Sequence, residues 1–311
     1  MLTLRSIKKS LHSADYFPLL YLLLLTVIIL VKSGEIKYAL PIAAANVFVI
    51  FAITYTIVKY ESAQLAGGQS LLKIIRYWYG IAAILISFKE TYHIVYCLKP
   101  EDWDLLFIKL DYSIFGVNPT QWMYRFRNPW LTEFLQLVYM YYYPMIVVFG
   151  IEIYRRNKYE EYKYVILAVF SCFFTSYLLY LFFPADGPRF HLHNFYAISN
   201  ELPGVFFTDW IRDFLNMAES IPKGIPNPQD YVQRDAMPSL HASEAMVITY
   251  LSWKLKSKSF RFYLPYLAAM LLATVYLRYH YVVDLAGGAI TAAAAIVFSN
   301  FIYNRIKSPS T

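Results

Sequence analysis

Blocks of apolar residues, each long enough for a helix to cross a hydrocarbon core about 30 Å thick, recur along the whole chain. They lie near 17–31, 38–58, 75–98, 130–151, 163–183, 239–254, 262–280 and 282–303. This pattern excludes an ordinary soluble domain and predicts an all-α integral membrane protein of about eight spans. A content of 58% apolar residues and a mean hydropathy of +0.40 agree with it. The third block carries Lys89, Glu90 and His93, which either line a pocket or close a helix end.

The N-terminal block follows Arg5, Lys8 and Lys9, and what comes after it is Lys32-Ser33-Gly34-Glu35, with no small-residue cleavage pattern. It reads as a retained span rather than a signal peptide. The net charge of +7 could suit nucleic acid, but the basic residues cluster in alternate short connections. Arg155, Arg156, Lys158 and Lys163 form one such set, and Lys254, Lys256, Lys258 and Arg261 another. The other side carries acids, including Asp102, Asp104, Asp111 and Asp209. The bias places both termini in the cytoplasm and makes the bilayer, not nucleic acid, the partner. Cys97 and Cys172 belong to no metal-ligand spacing.

Two long connections fall on the non-cytoplasmic side. Residues 99–129 read as an interfacial stretch anchored by Trp103, Trp122 and Trp130. Residues 184–237 are rich in Pro and Gly and include a short amphipathic helix over 206–219. Connections of this length are usually functional.

The residues able to do chemistry gather at the same boundary. Asp284 lies four residues after His280, so on a helix the two share a face. A carboxylate beside an imidazole fixes its tautomer and leaves one nitrogen free to attack, although a structural His–Asp pair at a helix end would look the same. Ser239 and His241 open the sixth block, where helix N–H groups favour an anion and a histidine can protonate a leaving oxygen. A serine cap beside an interfacial histidine is the plainer alternative. Arg189 and Arg278 could clamp phosphate oxygens or simply snorkel. Glu133, Glu244 and Tyr139 to Tyr143 sit near the same side. His191 and His193 read as loop residues, and no metal site is expected.

The strings Pro238-Ser239-Leu240-His241 and Tyr276-Leu277-Arg278-Tyr279-His280-Tyr281-Val282-Val283-Asp284-Leu285-Ala286-Gly287 resemble the second and third motifs of the type-2 phosphatidic acid phosphatase superfamily. Leu240, where most lipid phosphatases have Gly, and the string Asp111-Tyr112-Ser113-Ile114-Phe115-Gly116-Val117-Asn118-Pro119 before Trp122 resemble the branch of inositol phosphorylceramide synthases. The resemblance implies a six-helix core over 75–303, two preceding spans in 1–74 and a cytoplasmic tail at 304–311. It implies His280 as nucleophile, Asp284 as its orienting carboxylate and His241 as acid and then base. Arg189, Ser239 and Arg278 would bind phosphate on the non-cytoplasmic face, with no cofactor. The substrate would be a lipid phosphate or phospholipid, with water or a lipid alcohol as acceptor. Two positions depart from the family pattern: Phe182 stands where the first motif has Lys, and Thr274 where the third has Arg. A transporter or lipid-binding protein on the same fold is the competing expectation.

Overall fold

The computed structural model describes residues 4–64, 70–99 and 101–307. Within them the chain is helical, with one isolated backbone bridge and no strand. The end of the expected tail, 308–311, lies outside the described residues. By packing, the chain forms two compact units, residues 1–100 and 101–311.

The first unit holds α1 (Tyr16–Val31), α2 (Ala39–Gln64) and α3 (Ser70–Leu98). Leu22, Ile53, Ile57 and Ala83 form its apolar core. Polar side chains tie the helices together where hydrocarbon gives little drive to associate. Arg76 donates through both terminal nitrogens to Asp15 at 2.9 and 2.8 Å, and Tyr79 adds its hydroxyl at 2.5 Å. Glu90 accepts from Asn46 Nδ2 at 2.7 Å, which gives this intramembrane carboxylate a structural partner. The family resemblance divides the chain at 74/75, whereas packing groups α3 with α1 and α2.

The second unit contains α4 (Asp104–Phe115), α5 (Pro129–Met140), α6 (Tyr142–Arg155), α7 (Tyr159–Tyr180), α8 (Thr208–Ala218), α9 (Leu240–Lys254), α10 (Phe260–Tyr276) and α11 (Val282–Lys307). α9 packs against α7, α10 and α11. Small and hydroxyl side chains such as Ala242, Ser243, Ala245 and Ser252 are buried along it, letting those backbones come close.

Among the described residues five helices are long and apolar enough to cross a membrane: 13–31, 39–63, 71–98, 159–180 and 282–305. The expected span at 130–151 is instead the pair α5 and α6, bent by 49°, and counting it as one span makes six. Pro144 accounts for the break, since it has no N–H to offer the Met140 carbonyl one turn earlier. The expected spans at 239–254 and 262–280 form helices of 15 and 17 residues. At 1.5 Å per residue these reach only about 22–26 Å, so length alone does not carry the count to eight. The amphipathic helix expected over 206–219 forms as α8.

Candidate active site

Three turns at one end of the second unit are laced together by backbone bonds. Ala185, after α7, bridges to Asp235, before α9: its N–H donates to Arg234 at 3.3 Å, and Ala236 donates back to it at 3.1 Å. The third turn joins α10 to α11 and crosses the first so closely that a Cβ on Gly187 would lie 2.8 Å from the Tyr279 carbonyl. Gly187 also has φ +97°, so glycine is required there twice over. The Ser239 N–H donates to the Asp284 carbonyl at 3.0 Å, fixing the start of α9 to α11.

α10 ends because Arg278 adopts φ +68°, and the N–H groups of Tyr279 and His280 then turn back onto the Thr274 carbonyl at 3.0 and 3.1 Å. That turn aims the His280 ring inward, where it is 4% exposed. Its Nδ1 lies 3.0 Å from the Ala236 carbonyl and 3.5 Å from Asp284 Oδ2. A carbonyl only accepts, so Nδ1 carries the proton and the lone pair is on Nε2. Asp284 was expected to orient the ring. It stands within reach, but Ala236 is the nearer partner, and Asp284 Oδ2 also accepts from the Tyr281 N–H at 2.8 Å.

The His241 ring centroid lies 5.6 Å from that of His280. It is held between Tyr139 and Tyr142, each with its ring centroid 4.2 Å away, and its Nδ1 is 3.2 Å from the Tyr139 hydroxyl. The hydroxyl can give or take a proton there, so it accommodates either charge state of the imidazole. Among the described residues neither histidine's Nε2 has a hydrogen-bond partner. Two nitrogens left open in a buried site need a functional explanation, because buried polar atoms are otherwise paired.

The expected anion-binding residues divide. Ser239 caps α9, its Oγ accepting from the Ala242 N–H at 3.3 Å. The N–H groups of the first helical residues, Leu240 and His241, have no acceptor within their own helix. Arg189 is buried against Phe190 and Tyr279, and its charge acts on His280. Its guanidinium donates to Glu219 Oε2 at 2.9 Å and Asn216 Oδ1 at 3.2 Å, so two of its five N–H donors are engaged from the end of α8. Arg278 is turned toward Glu201 and the Tyr124 ring, while its Nε has no partner among the described residues. Phe182, at the missing Lys position, is exposed. The cation that sequence reasoning missed is Arg212, which lines one cavity of about 610 Å3 together with Arg189, Tyr279 and Asn216. Only its place on the amphipathic helix hinted at this.

Other candidates have structural work. Glu133 is buried and accepts from the N–H groups of Val205, Phe206, Phe207 and Thr208, so it anchors the start of α8 from α5. Glu244 is fully buried beside Cys172. His193 pairs with Thr120 Oγ1 at 2.9 Å, and burial with the charge of Arg278 pushes it down to about 3. His191 lies 3.3 Å from Asp186 Oδ2 and 3.6 Å from Asp104 Oδ2. Burial works against its protonation, but the hydrogen bond to Asp186 and the nearby carboxylates outweigh it and raise the pKa.

Asp102, Asp104, Asp186 and His191 have ligand-type atoms within 4.8 Å of one another, close enough to hold a cation. The two aspartates at its centre already have partners of their own, backbone N–H groups for Asp104 and a guanidinium for Asp186. Asp104 accepts from Asp186 and Gly187 at 2.7 and 2.8 Å, and Asp186 pairs with Arg234 at 3.3 Å.

A sequence-family model described as the PAP2 superfamily matches residues 108–298, more than half of the chain, and every residue of the three turns falls inside it. No curated protein and no solved structure matches the chain.

Proposed function

The chain belongs to the PAP2 superfamily, and on that premise we propose that it is a membrane-embedded phosphatase or phosphotransferase acting on lipid phosphate head groups through a phosphohistidine on His280. The observation that carries this reading is the pair of imidazoles, ring centroids 5.6 Å apart, each with a buried and unpartnered Nε2. His280 Nε2 forms the N–P bond as the P–O bond to the lipid alcohol breaks, and His241 gives that oxygen its proton. An acceptor hydroxyl then loses its proton to His241 and attacks phosphorus, releasing His280. Asp284 stabilises the positive charge that builds on the His280 ring. Arg189, Ser239 and the free N–H groups at the start of α9 hold the phosphate oxygens, with Arg278 as an outer cation.

In this reading α9 and α10 complete eight spans, with both termini cytoplasmic and the site on the other face. Transfer of the kind carried out by inositol phosphorylceramide synthases is favoured over hydrolysis by the Leu240 and Asp111–Pro119 strings and by the burial of His280 away from water. Purified protein given labelled phosphatidate and labelled phosphatidylinositol, with and without ceramide or diacylglycerol, tests it. Acceptor-dependent transfer supports the synthase-like reading, and phosphate release alone supports the phosphatase. No turnover of either lipid leaves a transporter or lipid-binding protein.

Two further expectations follow from the site. Burial pushes the His280 imidazole down to about 4, with the Ala236 bond pulling it back and the Arg189 charge adding to the fall. Asp284 and His241 are the other titratable groups facing it. His280 loses its lone pair only as pH falls through that value, so the acid limb of kcat/KM assigned to it should lie near pH 4, not 6.5. A limb near 6.5 that disappears in a His280 variant would contradict this. The Glu219 carboxylate holds one terminal nitrogen of Arg189 and offsets its charge, in competition with a phosphate. Glu219→Gln should therefore lower KM about three- to tenfold with kcat retained. A raised KM would show that Glu219 supports the site instead.

A further inference from the structure

α4 was expected only as part of an interfacial stretch, yet it carries two of the most deeply buried carboxylates in the second unit. Asp104 and Asp111 are 0% and 1% exposed and seven residues apart, which puts them on one face of the helix. Asp111 accepts from the N–H groups of Val282 and Val283 at 2.8 and 2.9 Å. Those residues begin α11, where backbone donors have no acceptor in their own helix, and a carboxylate there also complements the helix dipole. Asp104 accepts from the Tyr281 hydroxyl at 2.8 Å and from the N–H groups of Asp186 and Gly187. One helix therefore grips the turn carrying His280 and Asp284 and also the turn leading into Arg189.

We propose that Asp104 and Asp111 are positioning residues for the reaction, with α4 as the strut that sets the spacing between nucleophile and phosphate-binding arginine. Neither residue contacts the substrate. Asp111 acts through the first turn of α11, and so on Asp284 and the His280 turn alone. Asp104 acts on both turns. The proposal rests on reading His280 as the nucleophile. Misplacing a reacting group by about 1 Å can cost 10²-fold, and this sets the size of effect to look for.

The test is steady-state kinetics on purified, monodisperse variants with a labelled short-chain phosphatidate, rates being expressed per folded molecule. Asp111→Ala should lower kcat about 10²-fold with KM within about threefold of wild type. Asp111→Asn keeps one acceptor oxygen and should recover to within about tenfold of wild type, though not fully. Asp104→Asn should both lower kcat and raise KM, because it loosens the Arg189 turn as well. Should Asp111→Ala fail to fold, the Asn variant decides: a folded Asp111→Asn with wild-type kcat overturns the proposal. So does a folded Asp111→Ala that loses only thermal stability. Those outcomes leave the phosphohistidine reading intact, whereas turnover by His280→Ala would remove it and leave the contacts of α4 structural.

Discussion

Replacing His280 by alanine should lower kcat by at least about 10³-fold while the protein stays folded. The expected size follows from the role: a covalent nucleophile has no substitute, and losing one member of a coupled pair costs nearly as much as losing both. The fold should survive because the ring makes one close bond, to the Ala236 carbonyl, worth about 1 kcal/mol net. The turn around it is held by other contacts, including the Thr274 carbonyl and the Tyr281–Asp284 bond. Turnover of labelled phosphatidate and elution as a single species in detergent are the two readouts. A folded His280→Ala protein with a rate within tenfold of wild type would exclude His280 as the nucleophile.

His241→Ala should lower the rate about 10²- to 10³-fold on a lipid phosphate and far less on an aryl phosphate. A lipid alkoxide is a poor leaving group and needs a proton as the P–O bond breaks, whereas a phenolate leaves without one. The position of His241 supports an acid role, since the ring is clamped between two tyrosines and its Nε2 is open. Comparing kcat for the two substrates in wild type and variant isolates the proton-transfer step from binding. Equal losses on both would mean that His241 shapes the site without protonating the leaving group.

Most of this site could be read from the sequence because its chemistry is concentrated in side chains at span boundaries. His241, His280 and Asp284 fall in two short strings, and the four-residue spacing of His280 and Asp284 already puts them on one face. What could not be read is what backbone and distant partners supply. The closest partner of His280 is a carbonyl, that of Ala236, and every residue has one. The Glu219 and Asn216 that hold Arg189 lie about 30 residues away along an irregular connection. In the sequence Asp104 and Asp111 count only as acids of the non-cytoplasmic side, because charge bias counts carboxylates without seeing their burial. Their seven-residue spacing within an apolar run was the available signal. The end of the seventh block was overread for a related reason. Hydropathy extended the seventh block through residue 280, but the left-handed turn at Arg278 stops the helix at Tyr276 and so places His280 in the site.

The central claim is the covalent intermediate, and rapid quenching with phosphorus-labelled phosphatidate tests it most directly. The account predicts label bound to the protein within one turnover, stable in base, lost in acid, and mapping to the peptide that contains His280. The same label should be absent from His280→Ala. Turnover with no protein-bound label, or label on a residue other than His280, would contradict it.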